Sequence, residues 1–560
     1  MSARRPPATL AAAAAALLVA PLALTTTTAS PSSAQETATD HELTVTHTES
    51  ARWDTGYSAE ITVHNGSDSP VHDWEIEFTL PDGSSVHELW NATVTDHDGS
   101  YTVTPPHWGA AVPAGGSYTF GLNGLHQGGA TDPVGCTVDG APCDGSEEPG
   151  TGPGHDRLAV AYFAGWGPEE RDHHLRDVVE SGNADRLTHI NYAFGNVSED
   201  GRCFMTEDPD EGDAAADYTR TVAAEDSVDG VADDAGQELR GNFNQLAKLR
   251  ETHPHLQVSI SLGGWNWSKN FSDAVLTPES REELVSSCID LYLRGDLPEL
   301  DGAGGEGAAA GVFDGIDLDW EWPGSPGHPD NIIREEDKEN FTALVQEFRS
   351  QLDELGAETG EYHALTAYLP ATGEKLDLGF ELDEIMPAFD FATVQGYDYH
   401  GSWEETTNLH SNLVVHPDDP GPHLSSEDVL AAYTERGVDP EQLVMGVPFY
   451  SQGWTGVAPG PDGDGLFQEA DGPAEGLYED GTENWRDLAG REGFDLYRDD
   501  ELGVAWLYDG DTFWTYDDGT ALEQKTSWAV GNGMAGVTAW SLDGDDDEGT
   551  LLGAVDGALH

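Results

Sequence analysis

The sequence is poor in basic residues. Lys and Arg together account for 24 of the 560 residues, and only five of these are Lys, whereas Asp and Glu account for 105. The formal net charge is therefore −81 at pH 7. A chain with so little positive charge repels nucleic acid and anionic lipid, so we expect a neutral or cationic partner.

The acidic residues are spread along the chain and are not confined to a tail. This distribution differs from that of an acidic disordered segment and resembles the surfaces of extreme-halophile proteins. Because salt at about 1 M shortens the Debye length to roughly 3 Å, it would screen the self-repulsion of such a surface. We therefore expect the protein to need high salt.

The sequence also lacks an apolar run long enough to span a bilayer. The run from Leu10 to Leu24 is shorter than the ~20 residues that a transmembrane helix needs. With Arg4 and Arg5 before it and small residues up to Ala34 after it, the run predicts a signal peptide over residues 1–34 and a secreted, extracellular protein. The paired arginines fit either a twin-arginine signal or an ordinary positive n-region, and both remain open.

Cysteine is rare as well. Four cysteines fit an exported protein with at most two disulfides. Cys136 and Cys143 are close enough in sequence to bridge locally, which leaves Cys203 and Cys288 as a second pair. The sequence alone does not settle this pairing.

Two composition patterns divide the rest of the chain. Residues 41–144 alternate short apolar and polar runs with Gly, Asp, Asn and Pro, as in SAEITVHNGSDSPVHDWEIEFTLPDGSS, which predicts an all-β sandwich. Residues 145–156 are rich in Gly, Pro and acids, which is typical of a linker.

From residue 157 to 560, eight apolar segments alternate with helical stretches: LAVAYFAG, THINYAFG, LQVSISLGG, GVFDGIDLDW, HALTAYLPA, FATVQGYDYH, QLVMGVPFY and AGVTAWSLDG. Apolar strands linked by helices indicate a parallel sheet with both faces covered, so we predict a (β/α)8 TIM barrel. The stretch from about residue 454 to about residue 520, between the seventh and eighth segments, is too long for a loop. We therefore predict a small α+β insertion there.

The segment DGIDLDWEWP, residues 314–323, alternates acidic and apolar residues. Asp317, Asp319 and Glu321 share one parity, which predicts a β-strand with its acids on one face. Neighbouring acids there would lie roughly 6.5 Å apart, close enough to perturb each other's pKa. Beside other anions and the rings of Trp320 and Trp322 at a barrel mouth, Glu321 should have a raised pKa, as a general acid near neutrality requires.

Two other interpretations concern metal and nucleotide binding. A calcium loop would wrap its ligands around a central Gly over about twelve residues, whereas these acids follow a straight β pattern. GAGGEG at residues 302–307 has the form of a dinucleotide fingerprint, but no strand precedes it and no helix follows it. We therefore predict no metal and no cofactor.

DGIDLDWEWP resembles the D-x-x-D-x-D-x-E signature of glycoside hydrolase family 18, the chitinases. Five more segments resemble the other strand-end motifs of this family, in order: YAFG (192–195), SLGGW (261–265), GYDYHGSWE (396–404), GVPFYSQGW (446–454) and GVTAWSLDGDD (536–546). The similarity covers residues 157 to 556.

The resemblance implies roles for individual residues. Glu321 would be the general acid and then the base, and Asp319 would orient the acetamido group of the substrate and stabilise an oxazolinium intermediate. Asp317 would share a proton with Asp319, and Asp314 would be structural. Tyr397 would donate a hydrogen bond to the acetamido oxygen, Asp398 would support the distorted sugar, and Trp540 would form a hydrophobic floor beneath it. Further substrate contacts are implied for Tyr162, Phe194, Gly264, Trp265, Trp322, Gln395 and Trp403.

Two segments depart from the family pattern. Gln395 occupies a place where Met is common, and Ser451 with Gln452 replaces a usual Gly-Arg pair. We therefore expect the substrate contacts of these two segments to differ from those usual in the family, whereas the acidic strand is intact.

The N-terminal region resembles a family 2 carbohydrate-binding module, except that both of its cysteines lie near its C-terminal edge. Trp74 shares parity with apolar neighbours and is predicted to be a core residue. Trp53, Trp90 and Trp108 sit among polar residues, so we predict that they face solvent and bind sugar rings. Chitin and cellulose both remain open as ligands of this region.

The sequence thus predicts a secreted, monomeric chitinase that hydrolyses β-1,4 bonds between N-acetylglucosamine units of chitin or chitooligosaccharides, with net retention. One alternative is an endo-β-N-acetylglucosaminidase that acts on glycans. Another is a non-catalytic chitin-binding lectin. Endo or exo action, processivity and reducing-end preference stay open.

Overall fold

A computed structural model describes residues 43–53, 56–67, 71–72, 74–80, 84–97, 100–106, 111–126, 134–138, 141–143, 157–208 and 211–560. The predicted signal peptide, the predicted linker and Trp108 lie outside these residues. Within the described ranges, no helix is long and apolar enough to cross a membrane.

The N-terminal part is a sandwich of two antiparallel sheets. The first sheet has the strand order Leu43–Trp53, Gly56–Asn65, Ser117–Leu125, Ser85–Trp90, and the second has the order Thr93–His97, Ser100–Thr104, Ile76–Thr79, Val134–Val138, Ala141–Pro142. Alternate residues of both sheets form one apolar core, in which Trp74 stacks on Phe120 with ring centroids 5.8 Å apart. The prediction that Trp74 is a core residue is confirmed.

The C-terminal part is a closed parallel barrel. Its strands, called barrel strands 1 to 8 below, are Leu158–Ala164, His189–Val197, Gln257–Gly263, Gly315–Asp319, Ala364–Leu369, Phe391–Val394, Leu443–Pro448 and Gly536–Trp540. Strand 1 pairs in parallel with both strand 2 and strand 8, which closes the sheet. The predicted TIM barrel is confirmed.

Helices cover the outside of the barrel. The main helices after barrel strands 1 to 8 are Leu175–Glu180, Gly241–Thr252, Pro278–Cys288, Asp337–Thr359, Gly373–Gly379, Ser426–Thr434, Gly519–Gly531 and Thr550–Leu559. The longest of these carries a buried apolar face that includes Phe341, Leu344 and Phe348, in the same core as Ile316 and Leu318 of strand 4. Each such fully buried side chain typically contributes about 1.5–3 kcal/mol to folding.

An extra antiparallel sheet lies between barrel strands 7 and 8 in the chain. Its six strands are Tyr450–Thr455, Gly472–Pro473, Thr482–Asn484, Asp495–Asp499, Val504–Tyr508 and Phe513–Tyr516, with a short helix at Trp485–Leu488. The sheet starts four residues before the predicted boundary of 454. Only Phe449 separates it from barrel strand 7, so no turn signal marks the change in the sequence.

Both disulfides are present in the structure. Cys136 bonds to Cys143 in the sandwich, and Cys203 bonds to Cys288 across 85 residues of the barrel. The second bond ties the chain after barrel strand 2 to the end of the helix that follows strand 3.

Candidate active site

Barrel strand 4 directs its acids into the barrel. Asp317 and Asp319 are buried, while Ile316 and Leu318 belong to the core between barrel and helices. Asp314 precedes the strand, where it pairs with Arg250 and accepts a 2.9 Å hydrogen bond from the Val258 amide. It therefore lies at the end of the strand opposite to Asp319.

Asp317 is held by hydroxyl groups from three barrel strands. Its Oδ2 accepts hydrogen bonds from Tyr162 at 2.9 Å and Ser261 at 2.7 Å, and its Oδ1 accepts one from Thr366 at 2.7 Å. Burial raises the pKa of Asp317, although these three donors oppose the rise. The family resemblance implies that Asp317 shares a proton with Asp319, and this remains a prediction.

Asp319 is buried beside other acids. Among the described residues, none donates a hydrogen bond to its buried Oδ1. Burial raises the pKa of Asp319 well above its ordinary value, and the charges of Glu321 and Asp317 raise it further. An unpaired buried carboxylate oxygen is costly, so this atom is suited to accept a donor from a ligand.

Glu321 lies two residues beyond the end of barrel strand 4, so the predicted β pattern through residue 323 is wrong at its C-terminal end. Its backbone is held on both sides, because its N–H donates to Ser268 Oγ at 2.8 Å and its carbonyl accepts from Asn331 Nδ2 at 2.6 Å. Burial raises the pKa of Glu321 to about 8, Lys375 opposes the rise, and Asp398 adds to it. The carboxyl is therefore mainly protonated at neutral pH, as a general acid must be.

The two tryptophans beside Glu321 have different places. Trp320 stacks on Phe271 with ring centroids 5.4 Å apart and contacts Phe341 of the outer helix layer, so its ring faces away from the acids. The prediction that it surrounds the Glu321 carboxyl is wrong. Trp322 stacks on Tyr368 of barrel strand 5 at 5.7 Å, because regular alternation stops at Asp319.

Tyr397 connects this aromatic stack to the acids. Its ring stacks on the Tyr368 ring, with centroids 6.3 Å apart. Burial raises the pKa of Tyr397 well above its ordinary value, and the charges of Asp398, Asp319 and Glu321 add to the rise. The structure thus brings Tyr397 to the acids of strand 4.

Asp398 follows Tyr397 with a left-handed backbone, at φ 56°. Its Oδ1 accepts a 3.0 Å hydrogen bond from Gln452 Nε2. The Gln452 carbonyl in turn accepts from the Ser402 amide at 3.2 Å. Gln452, the departure from the family pattern, therefore binds the neighbour of Tyr397 directly.

Aromatic rings form a floor at the ends of barrel strands 1, 2 and 8. Trp540 stacks on Phe194 with ring centroids 5.6 Å apart and meets Tyr162 edge to face at 5.2 Å. Trp166, which follows barrel strand 1, contacts both Phe194 and Trp540. A Cβ on Gly264 would lie 2.7 Å from the Phe194 ring, so glycine is needed there for the close approach.

Three predicted substrate-binding residues lie on the loops that follow barrel strands. Trp265 is exposed and meets His328 edge to face, and Trp403 is exposed with its ring over Gly401. Gln395 is half-buried, and its side-chain oxygen accepts a 3.4 Å hydrogen bond from the Ala371 amide.

Four residues that line or support the site were not predicted from the sequence: Trp166, Tyr368, Tyr450 and Ser268. Trp166 and Tyr368 lie at the C-terminal ends of barrel strands, where side chains of this fold line the active site, so that rule could have found them. Tyr450 and Ser268 have no such signal, because they reach the site from the extra sheet and from a loop.

In the sandwich, Trp53 and Trp90 lie on the first sheet, and their side chains are 47% and 42% exposed. Each ring covers a glycine: a Cβ would lie 2.7 Å from the Trp53 ring at Gly56 and 2.3 Å from the Trp90 ring at Gly121. The glycines allow both rings to lie flat on the outer face of the sheet.

Comparison with known families and proteins agrees with this geometry. Residues 159–545 match the model of glycosyl hydrolases family 18. The chain belongs to this family. Residues 43–143 of the family 18 hydrolase match a cellulose binding domain.

Named relatives of this family 18 hydrolase include bacterial chitinases. The chain is 30% identical over 631 residues to chitinase 63 of Streptomyces plicatus. The alignment covers 95% of this chain and 96% of that one. The chain is also similar to the catalytic domain of psychrophilic chitinase B from Arthrobacter TAD20, with a TM-score of 0.69 and 41% identity over 72% of this chain and 95% of that one. A family 18 N-acetylglucosaminidase from Paenibacillus barengoltzii gives a TM-score of 0.56 and 26% identity over 72% and 99%.

Proposed function

We propose that this family 18 hydrolase is a secreted chitinase that cleaves β-1,4 bonds between N-acetylglucosamine units with net retention. The observation that carries the proposal is the row of Asp317, Asp319 and Glu321 at one barrel mouth, with the pKa of Glu321 raised to about 8. The likeness to bacterial chitinases over nearly the whole chain supports the same substrate class.

The first step uses the proton on Glu321. Its carboxyl gives this proton to the glycosidic oxygen, and the bond from that oxygen to C1 of the sugar breaks. The acetamido carbonyl oxygen of the same sugar attacks C1 and forms a cyclic oxazolinium ion. Substrate-assisted families of this kind depart from the scheme in which a second carboxylate is the nucleophile.

Asp319 is suited to the acetamido group. The N–H of that group becomes more acidic as the ring forms, and Oδ1 of Asp319, which has no donor in the described part of the chain, is available to accept it. The hydroxyls on Asp317 hold that neighbour in place and leave Asp319 as the acceptor.

In the second step the Glu321 carboxylate takes a proton from water. The water oxygen attacks C1, the oxazolinium ring opens, and the acetamido group is restored. Tyr397 would donate to the acetamido oxygen, Asp398 would hold the distorted sugar, and Trp540 would pack under its apolar face.

The sandwich supports a polymeric substrate. Trp53 and Trp90 present flat rings on one sheet, and this region matches a cellulose binding domain. A module that holds an insoluble polymer favours a chitinase over an enzyme that acts on soluble glycans. Secretion is proposed from the predicted signal peptide, and a monomer remains our expectation.

The test is hydrolysis by the purified protein of colloidal chitin, a soluble chitohexaose and an N-glycoprotein, with analysis of the released sugars. We expect chitooligosaccharides from the first two substrates. Glu321→Gln should lower turnover by about 100- to 10,000-fold with the fold intact, because general acid catalysis typically contributes that much. Glu441→Gln, at an exposed position far from strand 4 in the sequence, is the matched control.

Near-normal hydrolysis by Glu321→Gln would contradict the role of this acid. Release of glycans with no action on chitin would favour the glycan-specific alternative, and release of N-acetylglucosamine alone would favour an N-acetylglucosaminidase. Binding of chitin with no released sugar from the unaltered protein would favour the lectin.

A further inference from the structure

The first strand of the extra sheet, Tyr450–Thr455, turns one face towards the segment that follows barrel strand 6. Side chains on this face are two residues apart, because successive residues of a strand point to opposite sides. The Tyr450 ring meets the Tyr397 ring edge to face at 5.8 Å, and the Trp454 indole N–H donates to the Glu404 carbonyl at 3.0 Å. The strand therefore runs alongside residues 397–404.

Gln452 lies between these two contacts, and its side chain is buried. Its Nε2 donates to Oδ1 of Asp398 at 3.0 Å, and its Oε1 accepts from the Ser402 N–H at 3.2 Å. One end of the amide donates and the other accepts, a combination that neither a Lys nor an ionised Glu side chain offers. A Lys could donate to Asp398 but could not accept from Ser402, whereas an ionised Glu could accept from Ser402 but would repel Asp398.

Asp398 is a residue whose position has to be held. Its φ of 56° is a left-handed conformation, which is costly for a residue other than glycine and persists only where the surroundings fix it. Burial raises the pKa of Glu321, and the charge of Asp398 adds to this rise. The placement of the Asp398 carboxylate therefore affects the general acid as well as the sugar that Asp398 would support.

The other end of the Gln452 amide holds a turn that carries an exposed ring. Ser402 directly precedes Trp403, whose side chain is exposed. Gln452 binds the N–H of Ser402 and Trp454 binds the carbonyl of Glu404, so the strand holds the backbone on both sides of Trp403. A ring on a fixed backbone can present a flat apolar face to a sugar with little loss of freedom on binding.

We propose that Gln452 is a positioning residue with two functions: its amide nitrogen fixes the Asp398 carboxylate beside the reacting sugar, and its amide oxygen fixes the turn that presents Trp403 to another sugar unit. Through this one side chain, the extra sheet couples a site carboxylate to a sugar-binding ring. The inference rests on the proposed function, because it assigns Gln452 a part in that reaction.

The test measures kcat and KM of three variants on soluble chitohexaose. Gln452→Glu keeps the acceptor for Ser402 but loses the donor to Asp398, so we expect kcat to fall about tenfold while KM stays within about twofold. Gln452→Lys keeps the donor but loses the acceptor, so KM should rise about fivefold while kcat stays within about twofold. Gln452→Met, which is of similar length and has neither group, should show both changes.

Thr455→Val is the matched control, since Thr455 lies on the opposite face of the same strand and donates to Asp511 at 3.2 Å. It removes a hydrogen bond from this strand and should change neither kcat nor KM. Melting temperatures of all four variants show whether each is folded. The split between kcat and KM carries the test, because a merely destabilised sheet would affect Gln452→Glu and Gln452→Lys alike.

Two results would overturn the positioning role while the unaltered protein still cleaves chitohexaose. One is an equal loss of kcat in Gln452→Glu and Gln452→Lys with KM unchanged in both, and the other is unaltered kinetics in all three variants. Either result would leave the proposed function standing. If the unaltered protein did not cleave chitohexaose, the proposed function itself would fail, and the part of Gln452 in that reaction would fail with it.

Discussion

Among single residues, Glu321 links catalysis to stability. Its pKa is about 8 in the folded chain, against an ordinary value of 4.5, so the folded state holds this proton more tightly than the unfolded state does. At pH values below 4.5 both states are protonated, and the group has no effect on stability. As the pH rises from 4.5 to 8, the unfolded state gains from ionising the group, and the fold loses stability.

Glu321→Gln cannot ionise and should remove this loss. We expect its melting temperature to exceed that of the unaltered protein by roughly 2–5 °C at pH 8 and to match it at pH 4. Differential scanning calorimetry at both pH values checks the sign, with Glu441→Gln as control. An equal or lower melting temperature at pH 8 would show that the carboxyl is already ionised in the folded chain.

At the scale of elements, the first sheet of the sandwich is a candidate polymer-binding face. Trp53 and Trp90 are exposed on this sheet, and their rings lie over glycines. Trp53→Ala and Trp90→Ala should each weaken binding to insoluble chitin by roughly fivefold, if each ring contributes about 1 kcal/mol. Pull-down with chitin and with cellulose measures this loss and shows which polymer the face prefers.

The same variants should hydrolyse soluble chitohexaose at the unaltered rate, because neither ring belongs to the barrel. Thr48→Ala, an exposed change on the strand Leu43–Trp53, is the matched control for the sheet. Unchanged binding in the double variant would remove this sheet as the polymer-binding face.

At the scale of the whole molecule, the net charge of −81 determines how the fold responds to salt. Self-repulsion destabilises a compact state of this charge, and molar salt screens it to a Debye length of about 3 Å. We expect chitinase activity and far-ultraviolet ellipticity to rise together from dilute buffer to molar KCl. Full activity and ellipticity in dilute buffer would contradict the predicted need for salt.

The extent to which the sequence predicted the site differs from residue to residue. Asp317 and Asp319 were predictable, because strict alternation places them inside a barrel whose outward residues are Ile316 and Leu318. Trp322 was not, because alternation ends at Asp319 and its ring then stacks on Tyr368 instead of following Ile316 and Leu318 outwards. The position of Glu321 depends likewise on Ser268, 53 residues before it, and on Asn331, ten residues after it.

The departures from the family pattern show the same limit. The sequence shows that Gln452 replaces a common Arg, but not what the amide does. In the structure its two ends bind Asp398 and the Ser402 amide, since the extra sheet brings residue 452 beside the end of barrel strand 6.

The sequence by itself determined the local patterns: the apolar strands that close into a barrel, the alternating acids of strand 4, the core position of Trp74 and the excess of negative charge. These features depend on periodicity and composition, which neighbouring residues carry. Only the tertiary structure decided which hydroxyls bind Asp317, that Asp319 Oδ1 has no donor among the described residues, and that Gln452 binds Asp398. Such contacts join residues tens to hundreds of positions apart, and their geometry exists only when the whole core has packed.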